Sequence, residues 1–404
     1  MKGWVTTGMK RVYITTIVTA LLVVAVFSLV YSVWDGTARV DALKVGFIYE
    51  NDESTPYTYN FMLAQEALEA SLPGRVRVYT HTNVPEDESD DALHALVQDG
   101  CSIIFTNNYS DQILEAARRY PDVQFCQTSY NAGNHDDCPE NYHTFNGAIY
   151  QARYVSGIAA GLKLRDLIDN RVIDADGALV GYIGAYPSVE VISGYTAFLL
   201  GVRSVAPEAT MRVRYTYAWS SYNREKAGTR ALIDEGCVVI GQHTDTIGPA
   251  MACEEAKGLH PVIHVGYNQS MVDIAPSTSL VSTRVNWAPY VVGAVEALLE
   301  GREIEKNVSG AVFGNDICAG FDHGWVELTE LNLQLAPYGV QEKLNKAIDA
   351  LRRGTLEVFK GDYVGVDPED PNDTIDLRQG YRENAGSSWP TFHYLLKDVI
   401  TVED

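Results

Sequence analysis

Two stretches of this chain are near copies of each other, "ALVQDGCSIIFTNN" and "ALIDEGCVVIGQHT", with Cys101 standing where Cys237 stands. Each copy carries the end of a helical pattern, an acidic residue, a glycine and then an apolar run that stops in hydrogen-bonding side chains. A duplicated helix, turn and strand requires two similar α/β halves. The surrounding periodicity agrees: short apolar runs alternate with segments such as "YNFMLAQEALEASL" and "REKAGTRALIDEG", whose apolar residues recur at helical spacing. One set of strands is expected at 43–50, 75–82, 101–108 and 123–130, and a second at 178–186, 212–219, 237–244 and 262–268. Each run reads as apolar throughout, as in a parallel sheet covered by helices on both faces. Ligands of such sheets sit outside the carboxyl ends of the strands, where "TNN", "QHTDT" and "GYN" fall.

Between the halves, 150–167 reads as a helix with Ser156, Gly157, Ala159, Ala160 and Gly161 along it, small enough for close packing at a domain junction. Past residue 269 the segments "SLVSTRVN" and "GNDICAGFDHG" read as strands and turns that cross back between lobes. The tail from 360 is rich in turn formers and is expected to wrap the surface.

The N-terminus is different in kind. After Lys2, Lys10 and Arg11, the stretch from Val12 to Trp34 carries no charge and is long enough for a bilayer-spanning helix. Basic residues ahead of it are expected to stay cytoplasmic, which sends 35–404 outside. No A-x-A pattern follows, and no cysteine precedes Cys101, so an uncleaved signal anchor is the expectation. Outside the cytoplasm cysteines can pair, and Cys126 with Cys138, flanking "QTSYNAGNHDD", is the pair to test; two free thiols are an equal alternative.

A formal charge of -22 argues against a nucleic-acid partner, since phosphate binding needs a basic surface. The nine histidines form no H-E-x-x-H or H-x-H, and the six cysteines no C-x-x-C, so no metal or cofactor is expected. His243 and Asp245 alternate along the chain and would face one side of a continuing strand, but no nucleophile elbow or phosphate loop accompanies them. The positive signal is aromatic and amide-rich: Tyr57, Tyr59, Asn107, Asn108, Trp219, Tyr267, Asn268 and Trp287 fall at expected loop or element ends. Aromatic faces sandwich a flat ring, and amides and carboxylates reach its edge.

From about residue 43 onward the chain resembles the basic membrane protein (BMP, PnrA-like) family of ABC transporter substrate-binding proteins. The resemblance is carried by "YTYNFMLAQEALE", "GCSIIFTNN", "RYPDVQFCQ", "YQARYVSGIAAGL", "YIGAYPSVEVISGYTAFLLGVRSVAPEATMRV", "ALIDEGCVVIGQHTDT", "VGYNQSM", "VNWAPYVVGAVEALLEG" and "LEVFKG". It implies a type I periplasmic-binding fold: two Rossmann-like lobes joined by crossover hinge segments. Lobe 1 would take 43–165 with return segments from about 270–404, and lobe 2 would take 178–268 with parts of 269–330. A cytoplasmic segment 1–11 and the anchor 12–34 would precede them. The resemblance further implies binding of a purine nucleoside or nucleobase, delivery to an ABC permease and ATPase, and no enzymatic step. By the same resemblance the ring would stack on Tyr57 or Tyr59 and Trp219. Asn107, Asn108, Asp245 and Asn268 would hold the ring edge or ribose, with Glu190, Gln242, Thr244 and Trp287 near the cleft. The family's acidic residue and Ser-Phe-Asn at the first loop are replaced by "STPYTYNF", and its Val-Asp after the last lobe 2 strand by "GYN". Those losses bring a free base close to a nucleoside as the expected ligand. A tethered sensor that transports nothing and a nucleoside-acting enzyme are the alternatives.

Overall fold

Both copies of the repeated stretch end their helix the same way. Gly100 and Gly236 adopt left-handed backbone at φ 83° and 93°, a region glycine enters without a Cβ penalty. In the first copy the Gly100 and Cys101 amides donate to the carbonyls of Val97 and Leu96, each at 3.0 Å. In the second, Gly236 and Cys237 donate to Ile233 and Leu232 at 2.9 and 3.0 Å. This paired pattern is a Schellman motif, and the cysteine following the glycine packs in one cluster with the leucine that receives its amide. The repeated glycine and cysteine are thus parts of one stop signal that launches the next strand.

The computed structural model describes residues 42–128 and 137–403; the expected segment 1–11 and anchor 12–34 lie outside the described residues, as does most of the loop between Cys126 and Cys138. Lobe 1 begins with β1 (Leu43–Ile48), α1 (Pro56–Ser71), β2 (Val76–His81), α2 (Ser89–Gln98), β3 (Ile103–Thr106), α3 (Gln112–Arg119), β4 (Gln124–Thr128) and β5 (Tyr142–Gly147). Helix α4 (Ile149–Asp169) then leads into β6 (Leu179–Gly184), α5 (Val189–Arg203), β7 (Thr210–Tyr215), α6 (Tyr222–Asp234), β8 (Val239–His243), α7 (Gly248–Ala256), β9 (Ile263–Tyr267) and β10 (Ser279–Val285). The chain returns through α8 (Ala288–Leu299), α9 (Ile304–Asn307), β11 (Ala311–Phe313), β12 (Asp316–Ala319), β13 (Val326–Leu328) and α10 (Val340–Arg352). Four short strands finish it: β14 (Val364–Val366), β15 (Thr374–Asp376), β16 (Leu395–Leu396) and β17 (Ile400–Glu403).

The lobe 1 sheet has the order β11-β12-β5-β4-β3-β1-β2 and the lobe 2 sheet the order β13-β10-β9-β8-β6-β7-β17. Both are mixed rather than purely parallel, because β11 and β13 pair antiparallel at one edge of each. Central β3 and β8 are buried throughout, but β8 ends in Gln242 and His243 and so is not apolar throughout as expected, and edge strand β2 departs further, with Arg77 and Thr80 exposed. The tail also differs from the expectation. It forms the sheet β15-β14-β16, and β17 pairs parallel with β7. Without β17, the β7 edge would leave a row of amides and carbonyls unpaired. Strands this short, set among turn formers, give no periodic signal.

Crossings between the lobes lie side by side. The Ala148 amide donates to Ala319 at 2.9 Å, and Asn286 donates to Trp325 at 2.7 Å. Helix α4, which starts as the chain leaves β5, packs on β10 and β13 and against α5. Its small residues explain how closely: a Cβ on Gly157 would sit 2.1 Å from the Phe198 carbonyl oxygen, and one on Gly201 2.0 Å from that of Tyr154. The six cysteines are free. Cys126 faces the main core from β4, whereas Cys138 packs with the cluster on the other side of the sheet, so the chain gives them no common side on which to pair.

Candidate ligand cleft

The carboxyl ends of strands from both lobes converge on a cavity of about 310 Å³. Lobe 1 supplies Glu50 and Asn51 from the end of β1, Thr55 and Tyr57 at the start of α1, and Tyr109 after β3. Lobe 2 supplies Tyr186 and Glu190 after β6, Ala218, Trp219 and Ser220 after β7, Asp245 after β8, and Tyr267 at the end of β9. Strand ends converge here because a parallel sheet lets the side chains beyond its last hydrogen bonds splay outward while the backbone stays fixed.

Five residues singled out from the sequence, Tyr57, Glu190, Trp219, Asp245 and Tyr267, line the cavity. Others stand behind them. Asn107 accepts the Glu50 amide at 3.0 Å, and so fixes the loop that carries Glu50. Asn268 donates to Asp245 Oδ1 at 3.1 Å from a left-handed backbone at φ 63°. Gln242 donates to the carbonyls of Thr244 and Thr246 at 3.0 Å each and meets His264 Nε2 at 2.8 Å, holding the loop that ends in Asp245. Thr244 is buried in that loop.

The remainder sit elsewhere. Asn108 is buried on Ser89 Oγ at 2.7 Å and ties α2 to the β3 end. Trp287 packs against Phe61 and Phe145 with ring centres 5.5 and 5.7 Å apart, beside the Asn286 crossing. Tyr59 is exposed on α1, two residues beyond Tyr57 and so on another side of the helix, and does not line the cavity. Glu50, Asn51, Thr55, Tyr109, Tyr186, Ala218 and Ser220 line the cavity without having been expected there. The signal that finds Glu50, Asn51 and Tyr186 is the same one that finds Asp245, a polar or aromatic side chain just past a strand.

Three carboxyl groups and no lysine or arginine line the cavity. Burial pushes Glu190 up to about 7, against a smaller downward pull from the Arg153 cation. Asp245 is raised well above the usual carboxylate range, first by burial and then by the neighbouring charges of Glu225, Glu190 and Glu50. His243 lies beneath the cavity rather than on its rim. It is fully buried, its Nε2 is 3.8 Å from Glu190 Oε1, and neither ring nitrogen has a hydrogen-bond partner among the described residues. Burial and Arg153 hold it neutral, well below its ordinary titration range. Among the described residues, one group has metal-like spacing, Asp367, Asp373 and His393 in the C-terminal segment, and none of the three lines the cavity.

Residues 44–354 match the model of the PnrA-like ABC transporter substrate-binding proteins, which takes in every lining residue. The chain belongs to that family. Like its other members it is a solute-binding component of an ABC transporter, and the family is typically non-enzymatic. A purine-binding protein of Brucella abortus is 29% identical over 273 residues, 66% of this chain and 72% of the relative. A Haloferax volcanii relative named for glucose binding by an ABC transporter is 32% identical over 241 residues, 59% of this chain and 56% of the relative. Among solved structures, an ABC transporter solute-binding protein of Conexibacter woesei superposes with a TM-score of 0.60 at 18% identity, covering 78% of this chain and 98% of that one. A transcriptional activator of Bacillus halodurans superposes equally well, at 0.60 and 21% identity, covering 78% of this chain and 99% of that one. At such identities these superpositions carry the two-lobed fold and nothing finer.

Proposed function

We propose that this PnrA-like protein takes an uncharged purine nucleoside or nucleobase between its lobes and hands it to an ABC permease and ATPase. The observation that carries the reading is the pairing of Tyr57 from lobe 1 and Trp219 from lobe 2 on a cavity whose polar wall is Glu50, Glu190 and Asp245. Two aromatic side chains suit a flat ring. Carboxyl groups suit ring N–H and ribose hydroxyl donors, and they disfavour a phosphate. The volume falls at the small end of the roughly 300–1,000 Å³ usual for ligand pockets. The Brucella relative's name points the same way. We also propose that 12–34 tethers the protein to the cell membrane with the lobes outside, a reading that rests on the uncharged stretch alone.

Calorimetry of the purified protein with inosine, adenosine, guanine, adenine, adenosine monophosphate and glucose tests the ligand. Saturable binding of a purine without product formation, with the monophosphate rejected, supports the reading; turnover of any of them sinks it. Glucose is the second reading, motivated by the Haloferax relative, and selective heat from glucose would establish it in place of the purine. A mature N-terminus beyond residue 34 would overturn the tether.

A further inference from the structure

Arg153 is only 1% exposed, yet among the described residues no carboxylate forms an ion pair with it. One terminal nitrogen donates to the Gln242 carbonyl at 2.7 Å, while Nε and the other terminal nitrogen have no partner. Its guanidinium lies over the Tyr267 ring, 4.0 Å from the centroid. Holding a cation out of water without a paired anion carries a large desolvation cost. Tyr267 also lines the cavity, and the Tyr267 and His243 rings meet edge-on at 4.8 Å.

Glu190 stands on the same side of the site, its Oε1 3.8 Å from Nε2 of His243, the residue that follows the Gln242 carbonyl held by Arg153, and the cation pulls on its carboxyl from there. The groups that face Glu190 are Arg153 from α4, His243 from the end of β8, Asp245 from the following loop, Tyr267 from β9 and Tyr109 from lobe 1. Of these, His243 stays neutral and Asp245 and the tyrosines bring no positive charge, so Arg153 is the one cation in the set.

We propose that Arg153 is a positioning residue for the cleft: without lining it, Arg153 seats the Tyr267 ring by cation stacking and steers the Glu190 carboxyl through its charge. Its single hydrogen bond to Gln242 locates the guanidinium, and its unshared donors leave the charge undiluted by any nearer anion. The consequence for binding rests on the cavity being the ligand site, but the coupling itself is a property of the empty protein.

The test is carboxyl titration by carbon-13 NMR of the full, ligand-free chain with labelled glutamate, Glu190 being assigned from the signal lost in Glu190→Gln. The unsubstituted protein should show a midpoint near 7. Arg153→Met should move it up by about one pH unit or more, as loss of a neighbouring opposite charge does. Arg153→Lys, which keeps charge but not the planar stack, should return it toward the parent. An unchanged midpoint in Arg153→Met overturns the proposal. Because that variant can fail to fold, the Arg153 Nε–H nitrogen signal of the unsubstituted protein is followed over the same pH range. A shift at the Glu190 midpoint supports the coupling, and a flat signal overturns it. Failure of every purine to bind would remove the ligand reading and leave these titrations standing.

Discussion

The backbone amide of Asp245 donates to the carbonyl oxygen of Trp219 at 2.8 Å, so the loop that presents the carboxyl and the loop that presents the indole are fastened to each other. One comes after β8 and the other after β7, with β6 between these strands in the sheet. The bond uses main-chain atoms, and therefore survives replacement of either side chain. Trp219→Ala should remove stacking without moving Asp245, and weaken binding of the proposed purine ligand by about 1–3 kcal/mol, the range for a base stacked on an aromatic side chain. Calorimetry reads the loss. Unchanged affinity in a folded Trp219→Ala protein takes the indole out of the site.

Asn268 does two things for Asp245 that can be separated. Its amide donates to Oδ1, and its residue type tolerates the left-handed backbone at φ 63° that turns the chain after β9. Asn268→Gly keeps the backbone and removes the amide, so thermal stability should change little while ligand affinity falls several-fold. Asn268→Ala should lose affinity and also about 1 kcal/mol of stability, since left-handed backbone is costly for a residue with a Cβ. Equal melting temperatures for the two variants would refute the backbone half of this account.

What the sequence makes legible follows from what repeats and what does not. The copied Gly-Cys turns and the apolar central strands have local causes, a Schellman stop and burial on both faces, and these are written in consecutive residues. Tyr57, Trp219 and Asp245 follow strand ends or open a helix, so the rule that ligands sit at carboxyl ends finds them. The same rule admits Asn107, Gln242 and Asn268, and it cannot tell a side chain facing the cavity from one bracing the loop behind it. That distinction depends on which way a side chain leaves the backbone after the strand pairing ends. Trp287 was out of reach for another reason: its neighbours Phe61 and Phe145 come from distant parts of the chain. Arg153 reads as one more polar residue of the helix expected at 150–167 until that helix is seen packed on the lobe 2 sheet.

The contact between α4 and α5 makes a sharp stability prediction. A methyl group at Gly157 would press on the Phe198 carbonyl oxygen, and Gly161 faces Val202 in the same way, both backbone groups of a buried helix that has no room to retreat. Gly157→Ala should therefore cost about 1–3 kcal/mol or more in urea unfolding, the usual penalty for overpacking, despite alanine's better helix propensity. Gly74, where nothing lies within 4 Å but φ is 73°, gives the control for strain without crowding. A Gly157→Ala protein at least as stable as the parent would show that the two helices can part without loss.

Glu190 should make the folded protein respond to pH with a definite sign. Burial penalises its charged form and pushes the carboxyl up to about 7 in the folded chain, from an ordinary value of about 4.5. A group whose folded value is raised holds its proton more tightly in the native state. Its favourable contribution is therefore complete below about 4.5 and is lost as pH climbs to about 7, above which the loss is constant. His243 acts in the opposite direction, since its folded value is depressed and its contribution disappears as pH falls below 6.5. The two overlap in the parent protein, so the parent's profile alone does not isolate either group. Glu190→Gln removes one of them while preserving shape and a hydrogen-bonding end. The stability difference between parent and variant, followed by urea unfolding from pH 4.5 to 8, should run against the parent as pH rises and total on the order of 3 kcal/mol. A difference that stays flat across that window would mean that Glu190 titrates as an ordinary solvated carboxylate and that the floor of the cleft is open to water.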